Sequence, residues 1–364
     1  MAPESARVGR RYLSLLVGSL SLITLVCVTL LLPVPYVVLS PSLAFNTLGR
    51  FDGKPMITFS KKVKTYKTSG AIDFTTVAVT RPEAHLSLVE AIVAYFTPGK
   101  EVIRRRAIYP EGESAKDSQK VSHLLFTSAQ YSARVAAVRA AGYKVPIVPV
   151  VRDVTKGYPA AGKLEPGDVL VKINGERMKS SLDAFTAIGI KKPGDHIAIT
   201  YRRDSQLHTV KLTAAANPDD RKRARIGITM ATPKIPFKID FHTGSQIGGS
   251  SAGAMFAVAI YDRLTPGSLT GGRHIAGTGT IELDGAVGPI GGVRQKLVGA
   301  AQSGATVFLV PAANCADAAL DADRHGRAHG MRLVRIDTLD SAIKSVGALA
   351  KDPNAKVPQC EPPK

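Results

Sequence analysis

An uncharged run from Leu13 to Leu32, dominated by Leu, Val and Ile, constrains this chain more than any other feature of its sequence. A helix of that length, at roughly 1.5 Å per residue, reaches across the roughly 30 Å hydrocarbon core of a bilayer. Pro33 and Pro35 then stop it. Arg7, Arg10 and Arg11 precede the run, and no Lys or Arg follows until Arg50. That asymmetry puts the amino terminus in the cytoplasm and everything after Ser40 outside. The expectation is a single-pass protein of the cell membrane: a cytoplasmic tail at 1–12, a transmembrane helix at 13–35 and an extracytoplasmic C-terminal body. The competing reading is a cleaved signal peptide. Its apolar part is shorter, about 7–15 residues, and ends in a small-x-small site, whereas Pro33-Val-Pro-Tyr36 follows here.

The 364 residues suffice for two or three domains, and 45% apolar with 21% charged residues is ordinary globular composition. A net charge of +19 favours anionic partners in general. The basic runs Lys61–Lys67, Arg104–Arg106 and Arg221–Arg225 are scattered, and no finger or helix-turn-helix pattern accompanies them, which argues against nucleic acid. The three cysteines lack metal-ligand spacing, so no metal is expected. In an oxidising compartment Cys315 and Cys360 could form a disulfide, and two free buried thiols are the alternative.

Residues 41–134 read as a mixed α/β region without chemistry: a strand at Asp73–Thr80, a helix at Leu86–Phe96 and an Ala-rich helix at Ser122–Ala141. Val145–Val154 reads as a strand, and a second strand is expected at His196–Arg202. Asn217–Arg225 is polar and charged, a linker over 217–225. From 226 to 350 strands and helices alternate, and 351–364 is a tail. Gly157–Lys163 fits the first seven positions of a phosphate-binding loop. Leu164 replaces the hydroxyl residue and Pro166-Gly167 follows, so no nucleotide is expected.

Two glycine-rich segments carry the chemistry. Gly248-Gly-Ser-Ser-Ala-Gly253 leads into an apolar helix. A serine there sits above the positive end of the helix, with backbone N–H groups around Gly249 and Ser250 able to hold an oxyanion. An ordinary helix N-cap is the bland alternative. Gly288-Pro-Ile-Gly-Gly-Val293 leads into a second helix, where Lys296 lies on or beside the stripe Val293, Leu297, Ala300. A desolvated lysine has a lowered pKa and can take a proton from serine. A lysine that snorkels to water is the alternative.

Two family resemblances follow from these residues. The run from Pro159 to Gly175, with its small-residue turn, Pro-Gly-Asp turn, strand and Asn-Gly hairpin, resembles PDZ domains over about 135–216. Such domains bind peptide C-termini beside an exposed strand. The matching loop is Gly142-Tyr143-Lys144-Val145, in which Lys144 replaces the usual second glycine. Ser251-Ala-Gly, then Ala276-Gly-Thr-Gly-Thr, then Val287-Gly-Pro-Ile-Gly-Gly-Val-x-x-Lys296 resembles the proteolytic domain of Lon proteases. By that resemblance Ser251 is the nucleophile, Lys296 the general base and Thr278 the residue that orients the lysine. Ser250 competes for the nucleophile's place, but only Ser251 is followed directly by Ala-Gly. Gly248 stands where many Lon enzymes carry an acidic residue, and no ATPase module is present.

The resemblance implies a multidomain chain: an N-terminal transmembrane helix, a PDZ-like mixed β/α domain and an α+β Lon-type proteolytic domain at 226–350. It implies an ATP-independent serine endopeptidase acting on exported or membrane-associated polypeptides, needing no cofactor and assembling as a homo-oligomer, six by analogy. Two rivals stand beside it. A silent adaptor would use only the PDZ-like segment. An α/β-hydrolase would use the Gly249-x-Ser251-x-Gly253 elbow with Asp317, Asp321, His325 or His329.

Overall fold

The computed structural model describes residues 4–109, 114–218, 220–231, 233–244, 246–326 and 330–362. Along the first part of the chain lie α1 (Glu4–Leu31), β1 (Tyr36–Asn46), β2 (Ala71–Val79), α2 (Leu88–Phe96), β3 (Glu101–Arg104) and α3 (Ala115–Ala140). The middle contributes β4 (Val151–Val154), β5 (Val169–Ile173), β6 (Glu176–Arg177), α4 (Ser181–Gly189), β7 (His196–Arg203), β8 (Gln206–Thr213) and β9 (Ile228–Met230). The last part holds α5 (Gly253–Leu264), β10 (His274–Gly277), β11 (Thr280–Ile281), β12 (Val287–Gly288), α6 (Val293–Gln302), β13 (Val307–Pro311), α7 (Cys315–His325), β14 (Arg332–Ile336) and α8 (Leu339–Lys351).

Among the described residues no helix is long and apolar enough to cross a membrane. This finding overturns the transmembrane helix, the orientation argued from flanking charge and the extracytoplasmic, single-pass placement.

The central sheet has six strands in the order β14-β13-β10-β2-β1-β3. β14, β13, β10 and β2 are parallel, while β1 runs antiparallel to both β2 and β3. Half of this sheet therefore comes from before residue 105 and half from after residue 273. The region expected at 41–134 to stand apart is instead built into the body that carries Ser251 and Lys296. Strand pairing across that distance leaves no local trace in sequence. α5 lies in the middle of the body, with Met255 through Ile260 all buried, and α3 packs along it. The main core joins Phe74 and Phe126 to Phe256 and extends to Leu309, Val334 and Val346. Cys315 and Cys360 are bridged.

Between the two halves of the body, residues 151–230 fold around their own core of Leu164, Leu170, Ile173, Ile197, Ile199, Leu212 and Ile226. Its sheet runs β6-β5-β7-β8, flanked by α4 and by the β4–β9 pair. Asn174 and Gly175, both at positive φ, make the tight β5–β6 turn. Asp168 of the Pro-Gly-Asp turn is buried and accepts from Arg203 Nε at 2.7 Å. The linker expected at 217–225 is a hairpin: Asp220–Arg225 pairs with Ala215–Asn217, and Ala224 is buried. Its charged residues mask the alternation that buries Ala224 and Ile226. The strand expected at Val145–Val154 forms only at its end, because Pro146 and Pro149 lack the N–H that a ladder needs.

Candidate active site

Ser251 lies in a turn at the head of α5, where Ala252 is the cap residue and makes no side-chain capping bond. Ser251 is not used as a helix cap. Its carbonyl is held twice, by the Gly279 N–H at 2.8 Å and by Thr278 Oγ1 at 3.0 Å. The Ala254 N–H donates in return to the Gly279 carbonyl at 3.0 Å, so the start of α5 is stitched to the Gly277-Thr-Gly279 segment that ends β10. Glycine is required for this approach. A Cβ on Gly253 would lie 2.8 Å from Ile281 Cγ2, and one on Gly279, at φ +153°, 2.8 Å from Val287 Cγ1.

Lys296 sits in the first turn of α6, after Gly292 at φ +68°. Its face packs against β1 and β2, and only 3% of its surface is exposed. The lysine does not snorkel. Nζ is 2.8 Å from Ser251 Oγ, 3.2 Å from Thr278 Oγ1 and 3.1 Å from the Thr75 carbonyl oxygen. Burial alone pushes the Lys296 pKa down to about 7.

These contacts orient the amine. The Thr75 carbonyl can only accept. The Thr278 hydroxyl spends its proton on the Ser251 carbonyl, so toward Lys296 it accepts as well. A neutral amine has two N–H donors and one lone pair. With both donors assigned, the lone pair faces Ser251 Oγ. Ser250 is not among the partners of the amine.

Sequence reasoning located Ser251, Lys296 and Thr278, and the structure brings the three together. It missed Thr75, whose side chain is buried and donates to the Gly277 carbonyl at 3.2 Å. A backbone carbonyl leaves no signature in the residue type. Gly249, at φ +81°, donates its N–H to the Ser122 carbonyl at 2.9 Å, so that amide is already committed. Among the hydrolase candidates, Asp317, Asp321 and His325 fall on α7, and His329 lies outside the described residues. The described residues contain no cluster able to hold a metal.

The loop Gly142–Val145 ends α3 rather than opening a strand. Gly142, at φ +91°, donates to the Arg139 carbonyl at 3.0 Å, and Tyr143 donates to Val138 at 3.2 Å. Val145 and Ile147 are buried in the main core, and Tyr143 stands edge-on to Phe237. This loop therefore belongs to the large body, beside the inserted module.

A family model described as the Lon protease (S16) C-terminal proteolytic domain matches residues 234–347, and a PDZ domain model matches residues 119–213. The Lon protease of Campylobacter concisus is 38% identical over 97 residues, covering 27% of this chain and 12% of that protein. Lon protease 2 of Herpetosiphon aurantiacus is 41% identical over 85 residues, covering 22% and 10% respectively. The chain thus spans about a tenth of the length of these relatives. The PDZ domain of the SdrC-like protein of Listeria monocytogenes is 30% identical, with 23% of this chain and 86% of that chain covered and a TM-score of 0.21. Residues 234–347 are thus similar to the Lon-type proteolytic domain, and residues 119–213 to PDZ domains.

Proposed function

We propose that the chain is a serine endopeptidase that works through a Ser251–Lys296 dyad and needs no ATP. The observation that carries this reading is the 2.8 Å approach of a buried Lys296 Nζ to Ser251 Oγ. Serine is a weak nucleophile until a base takes its proton, and a lysine with a pKa near 7 is such a base at neutral pH.

In the first half-reaction Ser251 Oγ attacks the substrate carbonyl carbon as its proton passes to Nζ. N–H groups of the turn at 250–251 hold the oxyanion that forms. The Lys296 ammonium then gives its proton to the leaving amine and the C–N bond breaks. In the second half-reaction Lys296 takes a proton from water, the hydroxide oxygen bonds to the acyl carbon, and Ser251 leaves with a proton returned from Lys296. Thr278 and the Thr75 carbonyl keep the amine aimed throughout. Nucleotide independence is supported by the turns at 157–163, which no helix follows. The substrates on this reading are unfolded chains or flexible tails, and the PDZ-like region supplies a place to hold them.

The test is casein hydrolysis by the full chain without nucleotide, beside Ser251→Ala and Lys296→Ala. The parent should release peptides. Each variant should fall by about 10³-fold or more, the scale seen when a nucleophile or its base is removed, while circular dichroism stays unchanged. Full activity in Lys296→Ala would sink the dyad.

A further inference from the structure

Asn314 stands at the head of α7, where an asparagine ordinarily caps its own helix, yet its side chain makes no capping bond there. The residue is buried, and its side chain reaches Ile290 instead. Oδ1 accepts from the Ile290 N–H at 2.9 Å, and Nδ2 donates to the Ile290 carbonyl at 3.0 Å. One side-chain amide therefore holds both main-chain polar groups of a residue 24 positions away, as the partner in a strand pair would. Ile290 leads through Gly291 and Gly292 into α6, whose first turn carries Lys296. The cap residue of α6 is Gly292, so this helix has no side-chain cap of its own. Two successive glycines leave such a junction free to swivel. β2 limits it at one point, since a Cβ on Gly292 would lie 2.8 Å from Val77 Cγ2. Asn314 supplies the second hold, and it is itself fixed. It ends the short turn Ala312–Asn314 that follows β13, and the next residue, Cys315, is bridged to Cys360. The Cys360 N–H donates to the Leu333 carbonyl of β14 at 3.1 Å, which anchors the clamp to the central sheet.

We propose that Asn314 is a positioning residue for the reaction: by gripping both polar groups of Ile290 it fixes where α6 begins, and so holds Lys296 Nζ against Ser251 Oγ. The effect on hydrolysis rests on the dyad reading above, whereas the grip on the start of α6 does not. The partners of the amine, Ser251, Thr278 and Thr75, belong to three segments outside α6. Nζ meets all three together only when α6 starts at one height and one rotation. With the grip gone, the glycine junction lets the first turn shift against β2 and β10. A displacement of about 1 Å at the reacting atoms costs about 10²-fold in rate. Asn314 acts through the Ile290 backbone and not through substrate, so its removal should lower kcat and leave KM in place.

The experiment uses the full chain and compares the parent with Asn314→Ala, Asn314→Asp and Val346→Ala. The last truncates a buried core residue of α8 and controls for lost stability. Casein hydrolysis gives kcat and KM, thermal unfolding ranks stability, and hydrogen exchange by mass spectrometry follows residues 289–297 and 332–336. Asn314→Ala should lower kcat by about 10²-fold and leave KM within about two-fold. It should speed exchange over 289–297 by about ten-fold or more, while 332–336 exchanges as in the parent. Asn314→Asp keeps the size and the acceptor but offers no donor to the Ile290 carbonyl, so its kcat should fall by about ten-fold or more. Val346→Ala should lose stability and keep the parental kcat. Parental kcat in Asn314→Asp, or an equal fall of kcat in Val346→Ala, overturns the positioning role, because packing or stability would then set the rate. Unchanged exchange over 289–297 in Asn314→Ala overturns the grip itself. Should Asn314→Ala fail to fold, Asn314→Asp carries both readouts. If the parent cleaves no casein, the dyad reading fails, and faster exchange over 289–297 in the Asn314 variants still upholds the grip.

Discussion

At the residue scale the decisive quantity is the hydration that Lys296 gives up. Its amine is unprotonated only above a pKa of about 7, so kcat/KM should climb tenfold per pH unit below about 7 and level off above it. A flat profile from pH 5 to 9 would show that Lys296 is not the base. The same burial sets a stability gradient. Folding strips a proton from Lys296 between about 7 and its ordinary value of 10.5, so the unfolded chain binds more protons across that window. Stability should therefore rise with pH there, by up to about 1.4 kcal/mol per unit from this group. Denaturant unfolding of Lys296→Met should lack that part of the slope, and identical slopes in parent and variant would contradict the buried neutral amine. Ser251, Lys296 and Thr278 were legible in the sequence because each sits in a short glycine-rich signature. Thr75 was not, since it acts through its backbone from 221 positions away.

Among the elements, α5 shows how tightly the site is built. It is buried on every side in its central turns, and Gly253 lets it approach β11. Gly253→Val should cost about 1–3 kcal/mol by overpacking against Ile281, and it should also slow hydrolysis by displacing Ser251. A variant with parental stability and activity would show that the contact has room to spare. Helices were the easiest elements to read from sequence. The capping box of Ser87 with Glu90 and the terminator Gly142 mark the ends of α2 and α3. The length of the leading apolar run was read correctly as helix and wrongly as a span. The hairpin at 215–225 was missed for the opposite reason: its charged outer face hides two residues of the PDZ core.

On the scale of the whole molecule, the arrangement least visible in sequence is that one sheet draws strands from both ends of the chain. Domain reading from sequence proceeds by stretches, and it assigned 41–134 and 226–350 to separate units. Lys296 nonetheless rests on Thr75 of β2, which pairs with β10 at the centre of the sheet. The PDZ module is thus tied to the body at both of its ends.

Such a loop within a body has a mechanical consequence. A protease that cut the exposed chain between the module and the body at one point would not release either part. The two products would remain locked through shared strand ladders, as a non-covalent pair in which one piece carries Ser251 and Lys296 and the other the Thr75 carbonyl that holds the lysine. Limited trypsin digestion should therefore yield two bands after denaturation but a single particle of unchanged mass and casein activity before it. Dissociation on nicking would mean that covalent continuity, and not the sheet, keeps the catalytic body whole.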